Sequence, residues 1–373
     1  MDWWPIGVSA LCAGVLMPLV IGTRSIGHDL PGGVQKVHPA PISRLGGLVI
    51  FIAYVTVLAV GSSIDHSPLT VALPIALCAL PVVLAGLSED LTGRVGPRFR
   101  MAAAVLSAML ASMYSSGVVP RLDLPLPDRL LQHLWFALPL TSFMVAGACN
   151  SINLIDGVNG LATGTALLMF GGIAAAAGWS GDVPTLAESL AVMGALVGFM
   201  LWNYPHGRIF LGDAGAYFIG FMYAELAIRL VARNSDISAW YVIVLAAYPI
   251  VETLFSMYRR GIVRHTALMV PDALHLHSLV YYRVAMPIER RQQHFSRNRA
   301  NARVAPRLWI HGGLCLALAI AGHASTIALI IGFLVYVAFY VRCYRTLVRF
   351  AGRRPHGNAA PDAVVPDREV RLG

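Results

Sequence analysis

Asn150-Ser-Ile-Asn153-Leu-Ile-Asp156-Gly157-Val-Asn159-Gly160-Leu161 sets three asparagines, a carboxylate and two glycines between two long apolar segments. Hydrocarbon does not hold that density of polar side chains unless they face a ligand, an ion or water. Glycines beside Asp and Asn predict a turn leading into a helix, with backbone free to approach a ligand closely. A plain capped loop is the alternative, Asp156 or Asn159 serving as N-cap of the next helix. One cap needs one side chain, and four are present.

The surrounding composition is that of an integral membrane protein. Apolar residues make up 57% of the chain and charged residues 13%, and mean hydropathy is +0.66, values outside the range of soluble domains. The net charge of +9 rests on arginine, with Lys36 the single lysine. In a polytopic protein the positive-inside rule accounts for this excess, and no nucleic-acid partner is implied. Cys12, Cys78, Cys149, Cys315 and Cys343 contain no CxxC pair and sit mostly in apolar segments. They read as small buried hydrophobes. The first apolar run follows Asp2-Trp3-Trp4 without a basic flank, so it reads as a retained span and not a cleaved signal.

Apolar runs of membrane-spanning length occur at about 4–22, 45–62, 69–87, 101–118, 133–149, 161–179, 187–203, 214–231, 239–258, 308–323 and 325–341. The expected fold is therefore an all-α polytopic bundle of about eleven transmembrane helices, ten if one is re-entrant. Residues 1–343, with a cytoplasmic loop at 259–307, form one transmembrane domain, and 344–373 a basic, disordered cytoplasmic tail. An outside N-terminus places every basic residue inside except Arg121, Arg129, Arg229 and Arg233. That bias sets the orientation. It also gathers the polar motifs on the cytoplasmic face, whereas a transporter keeps its key polar groups near mid-membrane. Outer loops carry only turn-like acids such as Asp182. The arginine-rich segment 283–303 is either a solvated linker or an element held to anionic headgroups, at about 1 kcal/mol per arginine.

Four motifs carry chemistry. Glu89-Asp90 follow the third span, the Asn150 cluster the fifth, and Trp202-Asn203-Tyr-Pro-His-Gly-Arg208-Ile-Phe-Leu-Gly212-Asp213-Ala-Gly215 the seventh. His275-Leu-His277 lies in the loop after the ninth. Asp213, between glycines at a helix start, suits an N-cap, or a cation ligand with amides nearby for phosphate. Ion pairing with Arg94, Arg98 or Arg100 would account for one acid of the Glu89-Asp90 pair. It does not account for acids gathered from three loops, which with amide oxygens match Mg²⁺. Residues i and i+2 diverge on a helix, so the two histidines cannot share a helix face. A zinc pair would lack a third ligand, so they read as donors to phosphate, with Arg100 or Arg98. Acids, a divalent cation and basic donors at a membrane face describe phosphoryl transfer.

At these motifs the chain resembles the polyprenyl-phosphate N-acetylhexosamine-1-phosphate transferases, often called glycosyltransferase family 4. The likeness runs from about Lys36 to Arg283. Gly86-Leu-Ser-Glu-Asp-Leu-Thr-Gly resembles the family's acidic pair. Asn150-x-x-Asn-x-x-Asp-Gly-x-Asn-Gly-Leu, Phe210-x-Gly-Asp-x-Gly and His275-x-His resemble its later signatures. The resemblance implies that Asp213 and Asn153 hold Mg²⁺, or Mn²⁺ in its place, against the diphosphate. Asp90, with Glu89, would lie beside the lipid phosphate, and Arg100 would hold phosphate oxygens. Asn159 would sit near the uridine, and His275 and His277 on the pyrophosphate. Asp156 would shape the pocket, and Asn203 counts among the substrate-binding candidates. Lys36-Val-His38-Pro-Ala-Pro-Ile-Ser-Arg44-Leu-Gly-Gly resembles a looser stretch without an assigned role.

Three departures matter. Glu89 and Asn159 each stand where aspartate is frequent, and the histidine motif ends in Ser278. The last favours the GlcNAc-type branch over the muramoyl-pentapeptide one. The implied activity is transfer of N-acetylhexosamine 1-phosphate from a UDP-sugar to undecaprenyl phosphate, releasing UMP and initiating cell-envelope polysaccharide assembly. The enzyme would be multi-pass in the inner (plasma) membrane, in contact with membrane lipids and compatible with a homodimer. A lipid or sugar transporter and an inactive member of the same fold are the alternatives. Two expectations follow for variants: Asp90→Asn cuts turnover but spares UDP-sugar binding, and Asp182→Asn is silent.

Overall fold

Backbone crossing hydrocarbon must satisfy its own hydrogen bonds, so apolar segments of this length become helices. A computed structural model of the protein describes residues 3–22, 27–29, 41–63, 72–115, 117–263, 265 and 274–349. The helices, in order, are α1 Trp4–Gly22, α2 Gly46–Ser62, α3 Leu73–Cys78, α4 Leu80–Thr92, α5 Pro97–Tyr114 and α6 Pro125–Leu131. They continue with α7 Leu134–Ile155, α8 Leu161–Ser180, α9 Val183–Asn203, α10 Gly212–Arg233, α11 Ala239–Leu245 and α12 Ala247–Tyr258. The last are α13 Leu276–Val280, α14 Met286–Arg290, α15 Arg297–Ala302, α16 Ala305–Gly322 and α17 Thr326–Arg349. π-helical turns at Arg259–Val263 and Tyr281–Ala285 extend α12 and join α13 to α14. Strands β1 (His28–Asp29) and β2 (Ile42–Ser43) pair antiparallel.

A helix or a broken pair of helices covers the described part of each of the eleven apolar segments. Among the described residues, seven are long and apolar enough to cross a membrane: α1, α7, α8, α9, α10, the Arg297–Gly322 stretch ending in α16, and Thr326–Val348 in α17. Taken as one span, α11 and α12 make an eighth, bent by 73°. Proline explains both breaks in the expected spans. Pro81 cannot donate to the Leu77 carbonyl and Pro249 cannot donate to that of Leu245, so the helix yields at Ala79 and Ala246. The expected tail boundary at 343 falls inside α17, which runs to Arg349. The segment from 350 onward, with Lys36, His38 and Asp272, lies outside the described residues.

The core is built on α10, in which every residue from Gly212 to Val231 is buried. Small residues let neighbouring helices approach its first turns. A Cβ on Gly86 of α4 would stand 2.4 Å from the Ala214 nitrogen, and one on Gly47 of α2 2.0 Å from the Gly215 nitrogen. The 22 residues of α10 span roughly 33 Å, which separates the bundle's two ends. At the far end Arg121 donates to the Val231, Asn234 and Ile237 carbonyls. Asp182 N-caps α9 there, accepting from the Thr185 nitrogen at 3.2 Å and hydroxyl at 2.7 Å, with Arg233 at 3.3 Å. Asn234 also donates to it at 3.3 Å, so Asp182 has four donors, and Asp182→Asn is expected to cost stability even where turnover is unchanged.

Between α9 and α10, Arg229 donates to both oxygens of Glu188, at 2.9 and 2.7 Å, and both side chains are buried. Removing one partner leaves an uncompensated charge, a loss of about 3–5 kcal/mol. Glu188→Gln is therefore expected to lower the unfolding midpoint in detergent clearly more than Glu188→Gln/Arg229→Met, as thermal unfolding of purified protein would show.

Candidate active site

Four chain segments meet at the N-terminus of α10. Gly212 adopts φ +72°, and a Cβ there would stand 2.2 Å from the Arg44 carbonyl and 2.5 Å from an Asp90 oxygen. Only glycine makes this turn without strain. A helix N-terminus carries amides without intrahelical partners and a partial positive charge. Asp90, in the last turn of α4, answers both: Oδ1 accepts from the Asp213 nitrogen and Oδ2 from the Ala214 nitrogen, each at 2.9 Å.

Asp213 then collects donors. Asn153, in the last turn of α7, donates its Nδ2 to Oδ1 at 2.7 Å. Arg100, from the first turn of α5, donates to the same oxygen and lies 5.7 Å over the Tyr217 ring. Arg44 reaches Oδ2 at 3.1 Å and Asp90 Oδ1 at 3.4 Å. Its place is set by backbone pairing of the β2–α2 turn with the chain before α10: the Phe210 nitrogen donates to the Ser43 carbonyl and the Gly47 nitrogen to the Leu211 carbonyl.

Asp156 ends α7 as its C-cap. Burial first, then the charge of Asp213, pushes its carboxyl well above the usual carboxylate range against the pull of Arg44. Glu89 lines the same cavity, yet its Oε2 accepts from the Val95 nitrogen at 2.7 Å and so closes the α4–α5 loop. Asn159 and Asn203 are committed to backbone. Asn203 accepts from the Gly160 nitrogen at 2.6 Å and donates to the Ile209 carbonyl at 2.8 Å. Asn159 donates to the Pro205 carbonyl and to Asn298, and its own nitrogen donates to Asn301 at 2.8 Å. The short helix α15, carrying Asn298 and Asn301, thus forms a wall of the site. Glu289 holds that wall by accepting from Arg299 at 2.7 Å and Arg303 at 3.1 Å.

The two histidines do come together, which corrects the spacing argument. His275 is the extended N-cap of α13, with φ −64° and ψ 150°, and His277 lies in its first turn. Helical divergence does not apply across that junction, and the rings stack at 5.5 Å and 8°.

These side chains open onto a cavity of about 1270 Å³. At the start of α10 its lining holds Arg44, Asp156, Asp213 and His277, and it continues along apolar side chains such as Phe143, Met144, Ile228 and Val231. The nearby donors suited to a metal are oxygens, from Asp213, Asp156 and the Asn153 amide. No three His, Cys, Asp or Glu side chains among the described residues form a metal cluster. That set fits Mg²⁺, which binds through one or two carboxylates and completes its shell with water and substrate phosphate. Sequence reasoning left Arg44 without a role and did not find Tyr217, Asn298 or Asn301. Arg44 stood in a motif too loose to interpret, and the asparagines in a loop that reads as charge alone.

Residues 72–231 match the family model described as glycosyl transferase family 4. The chain is 28% identical over 277 residues to a probable undecaprenyl-phosphate N-acetylglucosaminyl 1-phosphate transferase of Bacillus subtilis, covering 72% of this chain and 74% of that one. It is 30% identical over 241 residues to the phospho-N-acetylmuramoyl-pentapeptide-transferase of Lacticaseibacillus paracasei, covering 60% and 74%. The enzyme of that name from Halalkalibacterium halodurans is 31% identical over 145 residues, covering 39% and 45%. The family match spans Asp90, Arg100, Asn153, Asp156, Asn159, Asn203 and Asp213, and leaves Arg44 and the histidines outside it.

Proposed function

The chain belongs to glycosyl transferase family 4 and is a phosphosugar transferase of the membrane, and we propose that it moves N-acetylhexosamine 1-phosphate, GlcNAc 1-phosphate or a close relative, from a UDP-sugar to undecaprenyl phosphate. UMP is the second product, and the lipid-linked sugar starts a cell-envelope polysaccharide. The observation that carries this reading is the meeting of Asp90, Asn153, Asp213, Arg44 and Arg100 at one helix terminus, at the polar end of a cavity that continues along apolar side chains. The polar end suits phosphates, and the apolar length suits a polyprenyl chain.

Asp213 and Asn153 would hold Mg²⁺, which supplies charge neutralisation to the diphosphate oxygens. Arg100 and Arg44 bind phosphate oxygens from the same cluster, and the positive end of α10 adds to the field. The lipid phosphate is already anionic at neutral pH and needs little help from a base. Its oxygen attacks the β-phosphorus directly, forming the new P–O bond as the bond to the UMP phosphate breaks. Asp90 is poorly placed to attack first, because two backbone N–H groups and Arg44 occupy its oxygens. A covalent aspartyl-phosphate route would require those bonds to open. Asp90 therefore holds Asp213 in place, Glu89 shapes the loop that delivers Arg100, and Asn159 with Asn203 builds the nucleotide-side wall. Asp156 lines the pocket.

The arginine bias supports an outside N-terminus and a cytoplasmic site. The eleven-span count includes α2, the α3–α4 pair and α5. These are shorter or less apolar than the seven clear spans, and packing on α10 would hold them in the bundle. Ser278 and the Bacillus subtilis relative favour UDP-GlcNAc as donor. Purified protein given undecaprenyl phosphate, Mg²⁺ and a panel of UDP-sugars is expected to release UMP with an N-acetylhexosamine donor. Lipid or sugar flux without UMP would support the transporter instead, and binding without turnover an inactive member.

A further inference from the structure

The histidine pair is held by a buried acid that the reaction has not yet used. Glu252, on α12 just beyond the bend at Ala246, is 1% exposed. Its Oε1 accepts from His275 Nδ1 at 3.1 Å and from the Leu276 nitrogen at 3.2 Å. Its Oε2 accepts from the Tyr340 hydroxyl of α17 at 2.8 Å. Tyr344, one turn further along α17, donates to the Leu274 carbonyl at 3.2 Å. The start of α13 is thus tied to α12 and α17 from both sides.

We infer that Glu252 is a positioning residue that presents His275, as a hydrogen-bond donor, to the diphosphate of the sugar nucleotide; this rests on the transferase reading above. The chemistry follows from the two ring nitrogens. Nδ1 donates to Glu252, so the tautomer is fixed. The other nitrogen, Nε2, has no protein partner among the described residues, and His275 lines the cavity. In a neutral ring Nε2 would present a lone pair, which repels phosphate oxygen. In the imidazolium it is an N–H donor. A His275 that meets phosphate oxygen through Nε2 does so with N–H on both ring nitrogens, and the Glu252 carboxylate lies 3.1 Å from Nδ1 to face that charge; among the described residues no Lys or Arg pairs with Glu252. A buried carboxylate needs donors on both oxygens, and Glu252 has His275, the Leu276 nitrogen and the Tyr340 hydroxyl. The other titratable groups around Glu252 are His277, Tyr340, Tyr248 and His311. The tyrosines are neutral donors and do not replace the carboxylate.

The test is a double-mutant cycle on the full-length protein in detergent, reading UDP affinity by calorimetry with MgCl₂ present, and UMP release and thermal unfolding in parallel. Glu252→Gln keeps the shape and removes the charge. It is expected to weaken UDP about tenfold, His275→Ala by the same factor, and the double variant no further. Effects that multiply to about a hundredfold, or an unchanged affinity in a destabilised Glu252→Gln, would overturn the role. Should Glu252→Gln not fold, Tyr340→Phe serves: a loss of about threefold that vanishes in the His275→Ala background supports it, and an equal loss in both backgrounds overturns it. A protein that shows the non-additive pattern but never releases UMP refutes the transfer reading alone. Wild-type UMP release with multiplying effects refutes Glu252 alone, and failure to bind UDP refutes both.

Discussion

Asp213→Asn is expected to reduce turnover by about a thousandfold or more while the protein still folds and purifies as the parent does. The substitution is nearly isosteric, and an amide can still meet Asn153 and one guanidinium. What it removes is a negative charge shared by Arg44, Arg100 and the proposed Mg²⁺ site; Arg44 keeps Asp90, but Arg100 keeps no carboxylate among the described residues. Arg100 loses the anchor that aims it, and the cation loses its charged ligand. The residual rate should accordingly respond weakly to Mg²⁺, which a titration of UMP release against free metal would read. Full activity with Mg²⁺ chelated would reject the metal assignment.

Asp90→Asn is the second large effect, about a hundredfold on UMP release, and here the structure changes what the sequence alone suggests. An asparagine has one acceptor where Asp90 uses two. Its Nδ2 would face the amide of Asp213 or Ala214, donor against donor, and the first turn of α10 would shift. Because Asp213 rides on that turn, KM for the UDP-sugar should rise together with the fall in kcat, instead of binding being spared. Rapid quench of the wild type with labelled donor is expected to trap no phosphorylated Asp90. Trapping one would reinstate the covalent route.

The cluster at Asn150–Leu161 and the acids at 90 and 213 were legible because each violates the apolar pattern around it. Polar side chains at a span boundary need a reason, and three such boundaries at equal depth suggest one site. Helix positions were legible for the same reason in reverse, since eleven apolar runs leave the backbone one way to hydrogen-bond. The breaks at Ala79 and Ala246 were present in the sequence as Pro81 and Pro249, but span length alone did not register them. The pairing of Glu252 with His275 was not legible, because it depends on a tertiary bend and on a C-terminal helix folding back across the loop. Asn159 and Asn203 show what residue type alone leaves open. Their residue types suit ligand binding, yet most of their hydrogen-bonding capacity is spent on the 203–209 loop and on α15. Which partner an asparagine takes is decided by packing, which spacing along the chain does not encode.

The central claim is that a phosphate travels with the sugar at the Asp213 centre. UDP-GlcNAc labelled separately at the α- and β-phosphorus, incubated with the purified protein, Mg²⁺ and undecaprenyl phosphate, tests it most directly. The β-label is predicted to appear in the lipid and the α-label in UMP. Both labels remaining in a UDP product would mean that the sugar moved alone, and would contradict the account.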